Sequence, residues 1–181
     1  MSKKYAEADR LLSKIEVLPN EGATLGRQLY REAKLMMAID NMNAGNYKKA
    51  LQYIDESKVW PERLGVGKPY DGDIDTRIED WMSYQIYTKL KNEKVAKQML
   101  DKLVTSQPGG KPSFNNLITA WALRKSGREN DGKQLLSEIA AKHPDNKIAK
   151  WTVDAYNGNA TAFDGEANDN YNILQQLMGN R

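Results

Sequence analysis

The stretch that decides the fold is Ala33-Lys34-Leu35-Met36-Met37-Ala38-Ile39-Asp40-Asn41-Met42-Asn43-Ala44-Gly45-Asn46-Tyr47-Lys48-Lys49-Ala50. Leu35, Ile39 and Met42 fall three or four residues apart, the spacing of one helix face. Gly45-Asn46 then interrupts the pattern, and these are the residue types that close a helix. The apolar rhythm resumes at once with Leu51 and Ile54. Two amphipathic stretches with so short a break between them predict two helices folded back on each other. Ala50, four residues past Asn46, is small where the second helix crosses the first; a larger side chain there would push the pair apart.

The layout recurs along the chain. Asn92-Glu93-Lys94-Val95-Ala96 follows Lys91, and Gly127-Arg128-Glu129-Asn130-Asp131-Gly132 repeats it again. The small residues Ala50, Ala96 and Gly132 are 46 and 36 residues apart, a period of helical-hairpin arrays. Helical stripes fill the intervals: Tyr5, Ala8, Leu11, Leu12, Ile15 and Leu18; then Val95, Met99, Leu100 and Leu103; then Leu135, Leu136 and Ile139. Pro19, Pro61, Pro108 and Pro144 mark the ends of longer units. Nothing alternates with period two over a useful length, so strands are not expected.

These features resemble the tetratricopeptide repeat (TPR) family. Ala33 to Ala50 is the best match, with Ala38 at the helix contact, and Pro144-Asp145-Asn146 is similar to that family's closing motif. The chain departs from the pattern where Tyr84 replaces Gly or Ala, where Gly132 replaces Ala, and in its long spacings. The resemblance implies an all-α, right-handed α-solenoid of helical hairpins with a C-terminal capping helix. Read so, the chain is a single helical-repeat domain over 1–181. It comprises a half repeat or N-terminal helix at 1–19, repeats at 24–57, 76–107 and 113–144, a loop insertion at 58–75, and a degenerate repeat with the capping helix at 147–178. The tail from Asn157 to Asn170 reads as loop, and Tyr171 to Met178 as the final helix, covering the last hairpin.

Lys4-Tyr5-Ala6-Glu7-Ala8 matches the opening of a second helix in a pair, yet no first helix stands before it. Either the chain is a fragment of a longer protein, with Met1 an artefact of the cut, or the helix is a native cap. Pro61-Glu62-Arg63-Leu64-Gly65-Val66-Gly67-Lys68 is similar to a segment of large bacterial proteins. Those join a domain of unknown function, related to carbohydrate-active proteins, to a helical-repeat C-terminal arm.

Composition narrows the chemistry. Cysteine is absent, which excludes disulfides, thiolate metal sites and cysteine nucleophiles, and His143 is the one histidine. The 27 basic and 24 acidic residues are too balanced for a nucleic-acid footprint. No apolar run approaches the ~18 residues of a membrane span, so no membrane insertion is expected. Gly65-Val66-Gly67-Lys68 lacks the Ser or Thr that a phosphate-binding loop needs after its Lys, where Pro69 stands. Asp71, Asp73 and Asp75 alternate as in a calcium loop, but Thr76 and Met82 occupy the Gly and Glu positions. These acids are better read as stabilising the N-terminus of the following helix. Glu79-Asp80 and Asp55-Glu56 read as solvated helix faces, and His143 as a helix-end cap. No catalytic residue, metal site or cofactor is expected.

The expected function is a non-enzymatic scaffold that binds a protein or peptide, or another domain of the same parent chain. In the TPR register the first helices line a concave face. That face would receive Leu35, Ile39, Trp81, Gln85, Leu117, Trp121, Arg124 and Trp151, unless the tryptophans are core between hairpins. The runner-up is an accessory arm packing on the catalytic domain of a carbohydrate-active or other enzymatic parent.

Overall fold

The structure, a computed structural model, describes residues 2–19, 24–106 and 110–179. Met1 and Pro108, each given a meaning above, lie outside the described residues. The described residues form nine α-helices and no strand. They are α1 (Ser2–Leu12), α2 (Leu25–Asn43), α3 (Tyr47–Ser57), α4 (Arg77–Lys89), α5 (Glu93–Thr105), α6 (Asn116–Lys125), α7 (Glu129–Lys142), α8 (Lys147–Asn157) and α9 (Asp169–Gly179). The chain is therefore all-α, as the periodicity required. Two compact units divide it: Met1–Glu79 with Tyr171–Arg181, and Asp80–Asn170.

Among the described residues one local device recurs at four helix ends. At the first, the Gly45 N–H donates to Met42 O (3.1 Å) and the Asn46 N–H to Asn41 O (2.8 Å). Lys91 and Asn92 make the same pair of bonds to Thr88 and Tyr87, and Gly127 and Arg128 to Arg124 and Leu123. Gly158 and Asn159 make it to Ala155 and Asp154. This is the Schellman closure, which satisfies carbonyls that a helix end would otherwise leave bare. Its left-handed residue is Gly45, Gly127 or Gly158, at φ +76, +81 and +80, and in one case Lys91, at φ +56. The next helix starts directly after the first three turns, where Ala50, Ala96 and Gly132 donate their first helical bond to Asn46, Asn92 and Arg128. The fourth turn, inside the stretch read as plain loop, is followed by no immediate helix.

In the first unit α2 and α3 form the hairpin and α1 lies along α2. Ala38 and Ala50 are fully buried, as the small-residue argument demands. Side chains of α2 cap the end of α3: Arg27 Nη2 donates to Ser57 O (2.6 Å) and Tyr30 Oη to Glu56 O (3.1 Å). A cation at this C-terminus also complements the helix dipole. Lys34 bridges three helices, with Nζ 2.9 Å from Asp9 Oδ2 and 2.7 Å from Glu56 Oε2. The insertion folds back over this unit. Val17 N donates to Arg63 O (2.8 Å), and Leu64 is buried with Leu12 and Tyr30. Gly65, at φ +67, sits where a Cβ would come within 2.8 Å of the Val17 and Leu18 carbonyls. The later part of the insertion, from Gly67 to Asp73, is exposed.

The second unit holds α5 to α8 and most of α4. Gly132 fits against α6, where an added Cβ would lie 2.9 Å from both Ala120 O and Tyr156 Oη. That contact explains why glycine replaces alanine at this one crossing. A T-shaped aromatic cluster of Phe114, Trp151 and Phe163, with ring centroids 5.0 to 6.5 Å apart, pins the segment after α8. Trp151 Nε1 donates to Thr161 O at 3.0 Å and completes the anchor.

Two expectations are corrected. The final helix was to cover the last hairpin, but from Tyr171 onward it belongs to the first unit, where Asn172 Nδ2 donates to Glu32 Oε1 of α2 (3.1 Å). Its apolar face, Ile173, Leu174 and Leu177, is buried. Glu79 and Asp80 are not solvated: they are 2% and 5% exposed. Arg31 grips Glu79 in a bidentate pair (2.6 and 3.0 Å), and Lys102 meets Asp80 at 2.7 Å. Periodicity marks these two positions as polar, but it does not reveal that buried or neighbouring cations await them.

Candidate functional site

Of the eight residues expected on a concave face, Leu35 and Ile39 lie on α2 in the first unit and the other six in the second. Leu35, Ile39, Trp81, Leu117, Trp121 and Trp151 are each at most 5% exposed. Trp81 packs between Tyr84 (5.2 Å between ring centroids) and Trp121 (5.8 Å). Gln85 and Arg124 are half-buried. The Arg124 guanidinium lies 3.8 Å over the Tyr156 ring and donates to Tyr156 O, so it is engaged in joining α6 to α8. In this conformation the six apolar side chains serve as packing.

An open groove of about 350 Å3 lies elsewhere in the second unit, formed by α5, α6 and α7. Thr119 and Leu123 of α6 contribute buried lining, and Val104 of α5 and Leu135 of α7 half-buried lining. Arg128, Asp131, Gln134 and Glu138 supply exposed polar lining. Arg128 Nε pairs with Asp131 Oδ2 at 2.7 Å, and Gln134 Nε2 donates to Glu138 Oε1 at 2.7 Å. Among the described residues no cation pairs with Glu138. The groove thus sets three apolar side chains, Val104, Leu123 and Leu135, beside Thr119 and a polar lining, with one carboxylate uncompensated.

One signal for this groove stands in the sequence. Leu135 and Leu136 are adjacent, and neighbours on a helix point about 100° apart, so both cannot enter the same core. Leu136 is buried and Leu135 is left at the edge. Val104 and Thr119 carry no such mark, because their place beside α7 depends on how three helices meet.

Two further titratable groups make local contacts. His143 Nε2 lies 3.2 Å from Gly110 O. Asp75 accepts the Arg77 backbone N–H (3.1 Å) and the Arg77 guanidinium, and so holds the start of α4 as expected of an acid there. Among the described residues no group of three His, Cys, Asp or Glu is placed to hold a metal ion. No helix there is long and apolar enough to cross a membrane. No family model matches the chain, and no match is found among curated proteins or solved structures.

Proposed function

We propose that this chain is a non-enzymatic protein-interaction or interdomain scaffold module. In this reading its hairpins are TPR-like and stack as a right-handed solenoid; the recurring Schellman turn and the small residue four positions later support that arrangement. The observation that carries the function is the groove between α5 and α7, where Val104, Leu123 and Leu135 stand together within a polar lining. Such a groove suits an amphipathic helix or short peptide that places one apolar side chain on Val104, Leu123 and Leu135. The aromatic residues first assigned to a concave face stay in this proposal as the frame that holds α6 in place.

The test is a random peptide library selected against the intact chain. Peptides that lose most of their affinity for Leu135→Arg, with far-ultraviolet circular dichroism unchanged, support the groove. Selected peptides that bind the variant as well as the parent chain refute it. The accessory-arm reading is favoured by a different observation: Leu11, Ile15, Leu18, Leu25 and Leu29 of the first unit are all exposed. A longer parent reading frame with a large neighbouring catalytic domain would support that alternative, and a free-standing frame would remove it.

A further inference from the structure

The four Schellman turns provide an internal comparison. Three of them put glycine at the left-handed position, and one puts Lys91 there, at φ +56. A Cβ in that conformation crowds the following carbonyl, a strain glycine avoids. The residue just before is Ala44, Ser126 or Asn157 in the glycine turns, but Leu90 in this one, 48% exposed. It also carries three lysines. Lys89, Lys91 and Lys94 are exposed, and among the described residues none of them joins an ion pair. Glu93 is the one acid between them and is itself in no such pair. At the turn between α6 and α7, Arg128 and Lys133 are paired, with Asp131 and Glu129.

Strain, an exposed leucine and uncompensated lysines therefore meet in one turn of the second unit. The two Schellman bonds, from the Lys91 N–H to Thr88 O and from the Asn92 N–H to Tyr87 O, hold the left-handed backbone, while among the described residues no ion pair engages the three lysines. We propose that the turn joining α4 to α5, residues 89–94, is a docking site for an acidic segment of a partner protein that carries an apolar side chain. Carboxylates would meet Lys89, Lys91 and Lys94, and the apolar side chain would cover Leu90. The inference rests on the interaction-module reading but uses a surface other than the groove.

The experiment uses the intact chain and a fluorescein-labelled glutamate-rich peptide with a central leucine, read by anisotropy. The same peptide with serine in place of leucine is the control, and phosphatidylcholine vesicles with or without phosphatidylserine are the competing surface. Lys91→Gly is expected to raise the melting midpoint by about 2–4 °C and to weaken peptide binding about threefold. Leu90→Ser is expected to weaken the leucine peptide and leave the serine peptide unchanged. A higher midpoint with undiminished peptide binding overturns the proposal. So does a Leu90→Ser variant that treats both peptides alike, or binding to phosphatidylserine vesicles with none to the peptide. Peptides selected for the groove should keep their affinity for Lys91→Gly, which separates failure here from failure of the groove.

Discussion

Gly132→Ala sets two effects of opposite sign against each other. Glycine inside a helix is less favourable than alanine by about 1 kcal/mol, so at an open position the substitution stabilises. At Gly132 the new Cβ would sit 2.9 Å from Ala120 O, 2.9 Å from Tyr156 Oη and 3.3 Å from Ala120 Cα. Two of these are backbone atoms of α6 that cannot swing aside, so α6 and α7 must separate by several tenths of an ångström. Overpacking of this kind costs about 1–3 kcal/mol. Displacing the Tyr156 hydroxyl also weakens its 3.3 Å bond to Glu129 O, worth about 1 kcal/mol. Taken together, the variant should be less stable by about 1–2 kcal/mol. Urea unfolding followed by circular dichroism measures it as a lower midpoint with an unchanged slope. Tyr156→Phe in the Gly132→Ala background should recover part of the loss, because one of the two close contacts disappears while the backbone contact remains. The double-mutant cycle then shows a coupling term. A Gly132→Ala chain that gains about 1 kcal/mol, as an exposed helix position would, refutes the close crossing of α6 and α7.

Glu79→Gln should cost about 3–5 kcal/mol, since it strands the buried Arg31 guanidinium, whereas Arg31→Met with Glu79→Leu should cost much less; thermal unfolding of the two variants decides. Trp81→Ala together with Trp121→Ala should lower helicity outright, at about 3–5 kcal/mol for each buried ring; intact helicity with weakened partner binding would restore them to a binding face. Burial opposes charge on both Lys34 and Glu56, but their hydrogen bonds to each other, and that of Lys34 to Asp9, outweigh it, leaving the Lys34 pKa raised and the Glu56 pKa lowered. Glu56, depressed in the folded chain, adds stability above its unfolded pKa that is lost as pH falls through its folded one. Lys34, raised, adds stability below its unfolded pKa that is lost as pH climbs through its folded one. Lys34→Met should therefore flatten the stability profile at both the acid and the alkaline limb, which urea midpoints across pH would show.

The turns were legible because their physics is local. Gly45-Asn46, Lys91-Asn92 and Gly127-Arg128 each close a helix through bonds reaching back three and five residues, so residue type and spacing announce them. The helices between them follow from a 3.6-residue apolar rhythm; Ala50 and Ala96 are buried, and Gly132 marks a crossing where an added Cβ would lie 2.9 Å from Ala120 O. The start of α4 was legible for the same reason, since Asp75 acts on the N–H two residues away. Gly158 was missed because no second helix follows its turn to complete the pattern.

What the tertiary structure decided is everything that depends on neighbours remote in sequence. Periodicity places Trp81, Trp121 and Trp151 on first helices, yet whether such a ring faces a groove or a core turns on what packs over it. Here each ring is covered. Glu79 and Asp80 look like surface acids until Arg31, 48 residues back, and Lys102 close on them. The last helix reads as a lid for the hairpin before it, but its apolar face carries no address, and Asn172 finds Glu32 140 residues away. An amphipathic sequence states that a face must be buried; only the packed chain supplies the partner that buries it.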